Sequence, residues 1–207
     1  MSTRRNTSQP FSWSLSLEDL YMGLSPPDLD YDPRNIPSDY LKAIGLVAAC
    51  SAQTESILEL GITGCLGLES QYGMAITTHM SGPQRDNALR AAAEIRIDDL
   101  DALDELDRIL DNIKNTVKKR HSTVHNQWGY SPSEDRVYTA HITARGSVRG
   151  DLVPMKLEEI EADALAIYEA GIDLLRFLIA LDLTPNIGPW QPRHHKSKEA
   201  RKKRVKK

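Results

Sequence analysis

The sequence predicts an all-α protein, a bundle of four or five helices, and three observations lead to this fold class. Apolar residues recur at steps of three and four along two long stretches, 100–128 and 157–181. Prolines flank the helical part on both sides. Only one short stretch, about 133–150, is β-like in composition. We therefore predict an irregular N-terminal arm at 1–37, one helical domain at 38–183, and a proline-containing linker with a basic tail at 184–207.

The first predicted helix begins after Pro37, where Ser38 or Asp39 can cap it. Its inward-facing line is predicted to be Leu41, Ile44, Ala48, Ala52, Glu55, Leu58 and Ile62. A buried carboxylate requires a partner, and Arg120 or a protonated histidine is the candidate for Glu55. The alternative is that the helix is rotated and Glu55 faces water.

Glycines and a proline separate the next helices. Gly61, Gly64 and Gly67 indicate a looser stretch, after which a second helix is predicted at about 68–80. Pro83 lies where a third helix can begin. That helix continues up to an acidic patch of Asp98, Asp99 and Asp101.

The two longest helices follow this patch. The first has acidic residues early and basic residues late, as the helix dipole favours, and its apolar line is Leu100, Leu103, Leu106, Leu110, Ile113, Val117, Val124 and Trp128. The last helix has the line Leu157, Ile160, Ala164, Ile167, Gly171, Leu174, Leu178 and Leu181. Its small residues Ala164 and Gly171 permit close helix packing, either within the bundle or across a two-fold axis.

Charge is distributed unevenly along the chain. Residues 193–207 hold nine Lys or Arg and one acid, which leaves 17 basic and 28 acidic residues elsewhere, so the tail has a net charge of +8 and the body −11. Such a tail is predicted to be disordered and to contact nucleic-acid phosphates, with the densest basic run at Arg201, Lys202, Lys203 and Arg204. The alternative is a tail that only aids solubility.

The remaining composition excludes several classes. The two cysteines, Cys50 and Cys65, lie in apolar segments without metal-ligand spacing, so we expect buried, reduced thiols. No secretory signal or membrane span is evident, and the expected location is the cytoplasm. No P-loop, GxGxxG or GxSxG motif occurs, and no cofactor is predicted.

A basic cluster ends the longest helix in the segment "KKRHSTVHNQW". Arg120 and His125, with four residues between them, have the chemistry that RNA cleavage needs. An imidazole titrates near neutrality and can move protons, and a guanidinium holds phosphate oxygens through a fixed fork of donors. The structural alternative is that these cations only oppose the negative end of the helix.

The six residues "RHSTVH" resemble the motif of the HEPN superfamily, which is an arginine, a polar residue, a few further positions and a histidine at the end of a long helix. Many members carry Asn after the arginine, where this chain has His121. The resemblance implies a helical-bundle homodimer and a metal-independent endoribonuclease, in some cases of a defence or toxin type. It implies catalytic roles for Arg120 and His125, with His121 in support. Separately, Glu55 is a predicted supporting carboxylate because of its place on an apolar helix line, and Lys118 and Lys119 are predicted to contact RNA. No protein inhibitor or antitoxin can be named from the sequence.

The spacing of Arg120 and His125 raises a geometric question. Five positions at 100° per residue place them about 140° apart around an ideal helix. Either the helix breaks near Ser122 and Thr123, or two copies of the chain form one site across a dimer axis.

Three alternatives remain open at the sequence level. His121 and His125 form HxxxH, which can hold one metal ion, with Glu55 or His79 as a further ligand. Trp128 and Tyr130 can stack on a base or close the core. The chain can also be a non-catalytic dimeric binding or assembly module whose basic tail contacts nucleic acid.

Overall fold

The computed structural model describes residues 28–144 and 148–185, with side chains described outside 142–149. Within these residues the chain is mostly helical, with five α-helices and a small antiparallel sheet. The helices are α1 (Ser38–Cys65), α2 (Ser70–Thr77), α3 (Gly82–Arg96), α4 (Leu100–His125) and α5 (Leu157–Ala180). The strands β1 (Gln127–Ser131), β2 (Arg136–Ala144) and β3 (Val148–Met155) lie between α4 and α5.

The chain divides into two compact units. The sheet unit contains the described residues up to 48 together with Lys118–Ala164, and the helical unit contains Ala49–Val117 together with the described residues from 165 onward. The division falls inside α1, α4 and α5, so each of these helices contributes one part to each unit.

The helical unit has a continuous apolar core. Leu89 of α3, Leu110 of α4 and Leu174 of α5 are fully buried in it. Around them pack Ile57, Leu58, Ile62, Cys65, Ala92, Ala93, Ile97, Leu106, Ile109, Ile113, Ala170, Leu178 and Leu183. Burial of these apolar side chains is the main stabilising contribution to this unit.

The predicted inward face of α1 is wrong over its first half. Leu41 and Ala52 are exposed, whereas Ala43, Val47 and Thr54 are buried. The buried face of α1 consists largely of small and polar residues. Such residues give little hydrophobic signal in a sequence, so the apolar pattern predicted the wrong face of the helix. Only from Leu58 onward does the predicted line coincide with the buried face.

Small residues let α1 approach its neighbours closely within the helical unit. A methyl group added at Gly61 would lie 3.1 Å from side-chain carbons of both Leu89 and Leu178. One added at Gly64 would overlap the carbonyl oxygen of Leu183. The sequence predicted a looser stretch at these glycines, and this prediction is wrong because α1 continues through both to Cys65. Gly67, with φ +63°, follows the end of the helix.

The last helix has most of the inward line that the sequence predicts, but Leu181 is 39% exposed and follows the end of the helix at Ala180. Ile160, Ala164, Ile167, Leu174 and Leu178 are all buried. Gly171 faces α1 within the helical unit, and a Cβ there would lie 2.6 Å from Thr54 Oγ1. Its small size therefore serves the packing of one chain, which is the first of the two roles considered for it.

The two shorter helices, α2 and α3, lie close to their predicted positions. α2 (Ser70–Thr77) is shorter than the predicted 68–80. The start of α3 is as predicted, with Pro83 in its first turn, and Ser81 N–H donates to Gln84 Oε1 at 2.7 Å. This reciprocal pairing is a capping box, which satisfies donors that the helix itself leaves unpaired.

The β-like insertion is larger than predicted. Instead of one short β-like stretch at about 133–150, three strands over residues 127–155 form an antiparallel sheet in the order β1, β2, β3. Trp128 belongs to β1 and not to the apolar line of α4, because α4 ends at His125. Gly150 and Pro154 obscure the last strand in the sequence, and proline is tolerated there because β3 is an edge strand.

Cys50 and Cys65 are buried and free, as predicted, and burial raises the pKa of both thiols. Within the described ranges no helix combines the length and apolar character that crossing a bilayer requires.

We expect the same substitution to have opposite effects at two glycines of α1. Gly64→Ala should lower the free energy of unfolding by about 2 kcal/mol or more, because the new methyl group displaces the Leu183 backbone. Gly45→Ala should be neutral or stabilising by up to about 1 kcal/mol, since nothing lies near its Cβ position and Ala favours the helix. Urea denaturation of both variants measures the difference, and equal effects would contradict the close packing at Gly64.

Candidate functional site at the end of α4

The end of α4 is a continuous helix. Arg120 and His125 both lie within Leu100–His125, so the predicted break near Ser122 and Thr123 does not occur. The two side chains therefore keep the separation of about 140° that a regular helix imposes. The structure thus excludes the first of the two geometries considered from the sequence, a break in the helix within one copy.

Two of the last four carbonyl oxygens of α4 accept hydrogen bonds within the sheet unit, that of Ser122 from the Asn126 N–H at 3.4 Å and that of Thr123 from Trp128. The hydroxyl groups of Ser122 and Thr123 donate to the Lys119 carbonyl oxygen at 2.8 and 3.1 Å. The indole Nε1 of Trp128 donates to the Thr123 carbonyl oxygen at 2.8 Å. Trp128 is buried, so it closes the core, which was one of the two roles considered for it.

His121 and His125 lie side by side on one exposed face of α4. Their ring centroids are 4.8 Å apart and the ring planes are tilted by 53°. Residues four apart in a helix are neighbours on its surface, which accounts for the contact. Both side chains are exposed to solvent.

Arg120 is half-buried and lies on a different side of α4 from this pair, about 100° from His121 and 140° from His125 around the helix. Its Nε is shielded from solvent and has no hydrogen-bond partner among the described residues. A buried N–H without a partner costs about 1–3 kcal/mol. Because this atom is closed to solvent, a ligand oxygen reaches it only if the side chain moves.

Lys119 already has a partner in the sheet unit. Its Nζ lies 2.8 Å from Asp163 Oδ1 of α5. The predicted contact of Lys119 with nucleic acid would have to compete with this ion pair. Lys118 is exposed on the preceding position of α4.

The structure adds His141, which the sequence analysis did not single out. Asn126, the residue after His125, brings its Nδ2 within 3.1–3.2 Å of both ring nitrogens of His141 on β2. No local pattern in the sequence indicates this contact, because it depends on how β2 returns beside the end of α4. The His141 side chain is half-buried, unlike the exposed His121 and His125.

Glu55 has a different partner from the one predicted. Arg85 of α3, which is 8% exposed, lies with NH1 at 3.3 Å from Glu55 and with NH2 at 2.8 Å from Glu59. Its NH2 also donates to the Thr77 carbonyl oxygen at 3.3 Å. The proposed pairing of Glu55 with Arg120 or a histidine is therefore wrong, because the rotation of α1 turns Glu55 toward α3 in the helical unit.

Other predicted site residues have structural contacts or cannot be described. The hydroxyl group of Tyr130 donates to Asp135 Oδ1 at 2.8 Å. That hydrogen bond raises the pKa of the Tyr130 hydroxyl group. Arg201, Lys202, Lys203 and Arg204 lie outside the described residues, as does most of the N-terminal arm.

Metal binding by His121 and His125 would need a further ligand. In the part of the chain that the structure describes, no three His, Cys, Asp or Glu residues gather at one point. Two imidazoles alone are fewer ligands than a protein zinc site uses.

Comparison of the chain with protein-family models, with curated proteins and with solved structures yields no match. The residues and geometry of the site are therefore the basis on which a function can be proposed.

The Arg85 contacts predict a specific stability effect. Arg85→Met should lower the free energy of unfolding by about 2 kcal/mol, because two partly buried carboxylates lose their common cation. Arg108→Met is the matched control. It should lower the free energy of unfolding by less than about 0.5 kcal/mol, since the ion pair of Arg108 with Glu105 is exposed. Thermal and urea unfolding measure both, and an equally small effect at Arg85 would contradict a structural role for this cluster.

Proposed function

We propose that this chain is a HEPN-like, metal-independent endoribonuclease whose reacting groups are His125 and Arg120. The observation that carries the proposal is the arrangement at the end of α4. Two exposed imidazoles lie in contact on one face of this helix end, and a half-buried guanidinium with an unpaired Nε lies on another. These are the groups that cleavage of RNA by its own 2′-hydroxyl requires.

The proposed reaction is an internal transfer at phosphorus. The 2′-oxygen forms a bond to the neighbouring phosphorus as the bond to the 5′-oxygen breaks. A base takes the proton of the 2′-hydroxyl group, and an acid supplies a proton to the departing 5′-oxygen. His125 is the proton-transfer group, and the products are a 2′,3′-cyclic phosphate and a 5′-hydroxyl end.

Arg120 is assigned to the phosphate. Its guanidinium can donate charge-assisted hydrogen bonds to phosphate oxygens, and movement of the side chain on binding would give the buried Nε the acceptor that it lacks. Arg85 also has a buried Nε without a partner, but its terminal nitrogens already bind two carboxylates and a carbonyl group. No hydrogen bond or ion pair joins Arg120 to another described residue, so its charge is available to a ligand.

A complete site requires two chains in this proposal. On one continuous helix Arg120 and His125 diverge by about 140°, so a single copy presents them to different sides. Two copies of the α4 end at a shared cleft bring Arg120 of one chain to His125 of the other. The homodimer is thus part of the proposed function.

The alternative function is a non-catalytic dimeric binding or assembly module. The observation that favours it is the ion pair between Lys119 and Asp163, which employs one cation of the cluster in holding α4 to α5 within the sheet unit. In that case Arg120 and His125 are structural or bind RNA without cleaving it. The response to His125→Ala distinguishes the two functions.

The central test is cleavage of single-stranded RNA in the presence of a chelator. The wild-type chain should produce cyclic phosphate ends and leave DNA intact, because DNA lacks the 2′-hydroxyl group. His125→Ala should abolish turnover but retain RNA affinity, and Arg120→Ala should reduce both, since the guanidinium contacts the phosphate before and during the reaction. His121→Ala should have a smaller effect than His125→Ala.

His79→Ala is the matched control, because His79 is an exposed histidine outside the cluster. It should leave the rate unchanged. An activity that survives both His125→Ala and Arg120→Ala would belong to another site or protein, and the binding-module alternative would replace this proposal. An activity abolished by the chelator, or by His121→Ala as completely as by His125→Ala, would indicate a metal site instead.

The basic tail predicts a salt-dependent contribution to RNA binding. Replacing Arg201, Lys202, Lys203 and Arg204 by Gln in the full chain should weaken binding and reduce the slope of log affinity against log salt. The expected reduction is about 0.7 for each RNA phosphate that the tail no longer neutralises. Fluorescence anisotropy over a range of salt concentrations measures the slope. An unchanged affinity and slope would assign the tail to solubility alone.

A further inference from the structure

The proposed cleavage requires two proton-transfer groups, and His125 supplies only one of them. A base accepts the proton of the 2′-hydroxyl group, and an acid protonates the departing 5′-oxygen. The attacking and leaving oxygens lie on opposite sides of the phosphorus atom, so the two groups must flank the phosphate. His121 does not suit the second role, because its ring centroid lies only 4.8 Å from that of His125. A phosphate does not fit between two rings in contact.

His141 of β2 lies on the face of the sheet that contacts the end of α4. Trp128 of β1 donates to the Thr123 carbonyl oxygen of α4 and pairs across the sheet with Thr139. Side chains two residues apart on a strand point to the same face. His141 is two residues beyond Thr139, so it shares this face, and its contact with Asn126 agrees with that position.

Both ring nitrogens of His141 are open to a ligand in the plane of the ring. Asn126 Nδ2 lies 3.2 Å from Nδ1 and 3.1 Å from Nε2. Because the ring carbon Cε1 lies between these nitrogens, an atom almost equidistant from both lies over the face of the ring. Imidazole nitrogens donate and accept hydrogen bonds in the ring plane. The Asn126 amide therefore holds the ring in place without occupying either nitrogen.

The His141 ring is also free of a charged partner. Asp151 of β3 lies opposite His141 in the strand register and is exposed, but the two side chains form no ion pair. The half-buried His141 forms no hydrogen bond with any described side chain other than that of Asn126. Its ring nitrogens are therefore available for proton transfer.

His125 and His141 lie on either side of Asn126, one beside it along the chain and the other across the sheet. One peptide step spans about 3.8 Å and paired strands lie about 5 Å apart, so the two histidine Cα atoms are within roughly 10 Å of each other. This separation allows the two imidazoles to contact one phosphodiester from different sides.

We infer that His141 is the second proton-transfer group of the proposed reaction. His125 and His141 of one chain flank the phosphate, and Arg120 of the partner subunit binds it. One imidazole takes the proton of the 2′-hydroxyl group as the 2′-oxygen bonds to phosphorus. The other gives its proton to the 5′-oxygen as the bond from phosphorus to that oxygen breaks. The inference rests on the proposed function and adds a catalytic residue outside the "RHSTVH" segment.

Replacement of His141 by glutamine tests this role on single-stranded RNA in the presence of a chelator. Glutamine keeps hydrogen-bonding groups but does not transfer protons near neutral pH. His141→Gln should lower kcat at least about 100-fold, the contribution of one general acid or base, and should retain RNA binding. His141→Asn, a smaller variant, should show the same loss. The matched control is His79→Gln, an exposed position in the helical unit, which should leave kcat unchanged.

A substrate with an activated leaving group distinguishes the acid from the base. Uridine 3′-(4-nitrophenyl phosphate) reacts through the same 2′-oxygen, but its nitrophenolate departs without a proton. On this substrate the variant that lacks the acid should regain most of the wild-type rate, and the variant that lacks the base should not. One of His125→Gln and His141→Gln should therefore be rescued, and the other should stay inactive. Circular dichroism confirms that each variant is folded.

The results distinguish a failure of this inference from a failure of the proposed function. If the wild-type chain cleaves RNA and His141→Gln retains that rate, the inference is overturned and the roles of His125 and Arg120 stand. Rescue of both variants or of neither on the nitrophenyl substrate would overturn it too. So would loss of the fold or of RNA binding in both His141 variants, because His141 is then structural or only binds RNA. A wild-type chain that cleaves no RNA would overturn the proposed function and this inference together.

Discussion

The close approach of α1 to its neighbours is the constraint on which the helical unit depends. At Gly64 the chain passes so near the backbone of Leu183 that no side chain fits between them. At Gly61 the side chains of Leu89 and Leu178 meet the helix surface. The position of α5 follows from these contacts and from Thr54, whose Oγ1 donates to the Ile167 carbonyl oxygen at 3.2 Å.

In the sheet unit, side-chain hydrogen bonds hold the end of α4 that carries the candidate site. The hydroxyl groups of Ser122 and Thr123 donate to the Lys119 carbonyl oxygen, and the Trp128 indole donates to that of Thr123. The cations of Lys118, Lys119 and Arg120 lie in the last two turns of this helix, where they also oppose the negative end of its dipole.

Sequence analysis is most successful where burial is signalled by large apolar residues. The lines of Ile160, Ile167, Leu174 and Leu178 on α5, and of Leu106, Leu110 and Ile113 on α4, are buried as predicted. It fails on α1, because Ala43, Thr54 and Gly61 are buried for their small size, and a hydrophobic pattern does not register size. The true partner of Glu55 was missed as a consequence of that rotation.

At the site, the features that one helix determines by itself could be predicted, and those that depend on strand pairing could not. The placement of Arg120, His121 and His125 at a helix end follows from spacing and charge along one helix, and the structure keeps them there. The contact of Asn126 with His141 and the insertion of Trp128 from β1 require knowledge of strand pairing, which is set by residues far along the chain. Gly150 and Pro154 additionally conceal β3, whose pairing with β2 completes the sheet.

The claim that the end of α4 binds RNA phosphate is tested most directly by nuclear magnetic resonance of the side chains. The wild-type chain would be titrated with a 2′-O-methyl RNA, which has the phosphates of the substrate but cannot be cleaved. The account predicts that the His125 ring and Arg120 Nε signals shift together with RNA concentration, while the His79 ring signal stays fixed. Unchanged signals at His125 and Arg120 while the RNA binds elsewhere would contradict it.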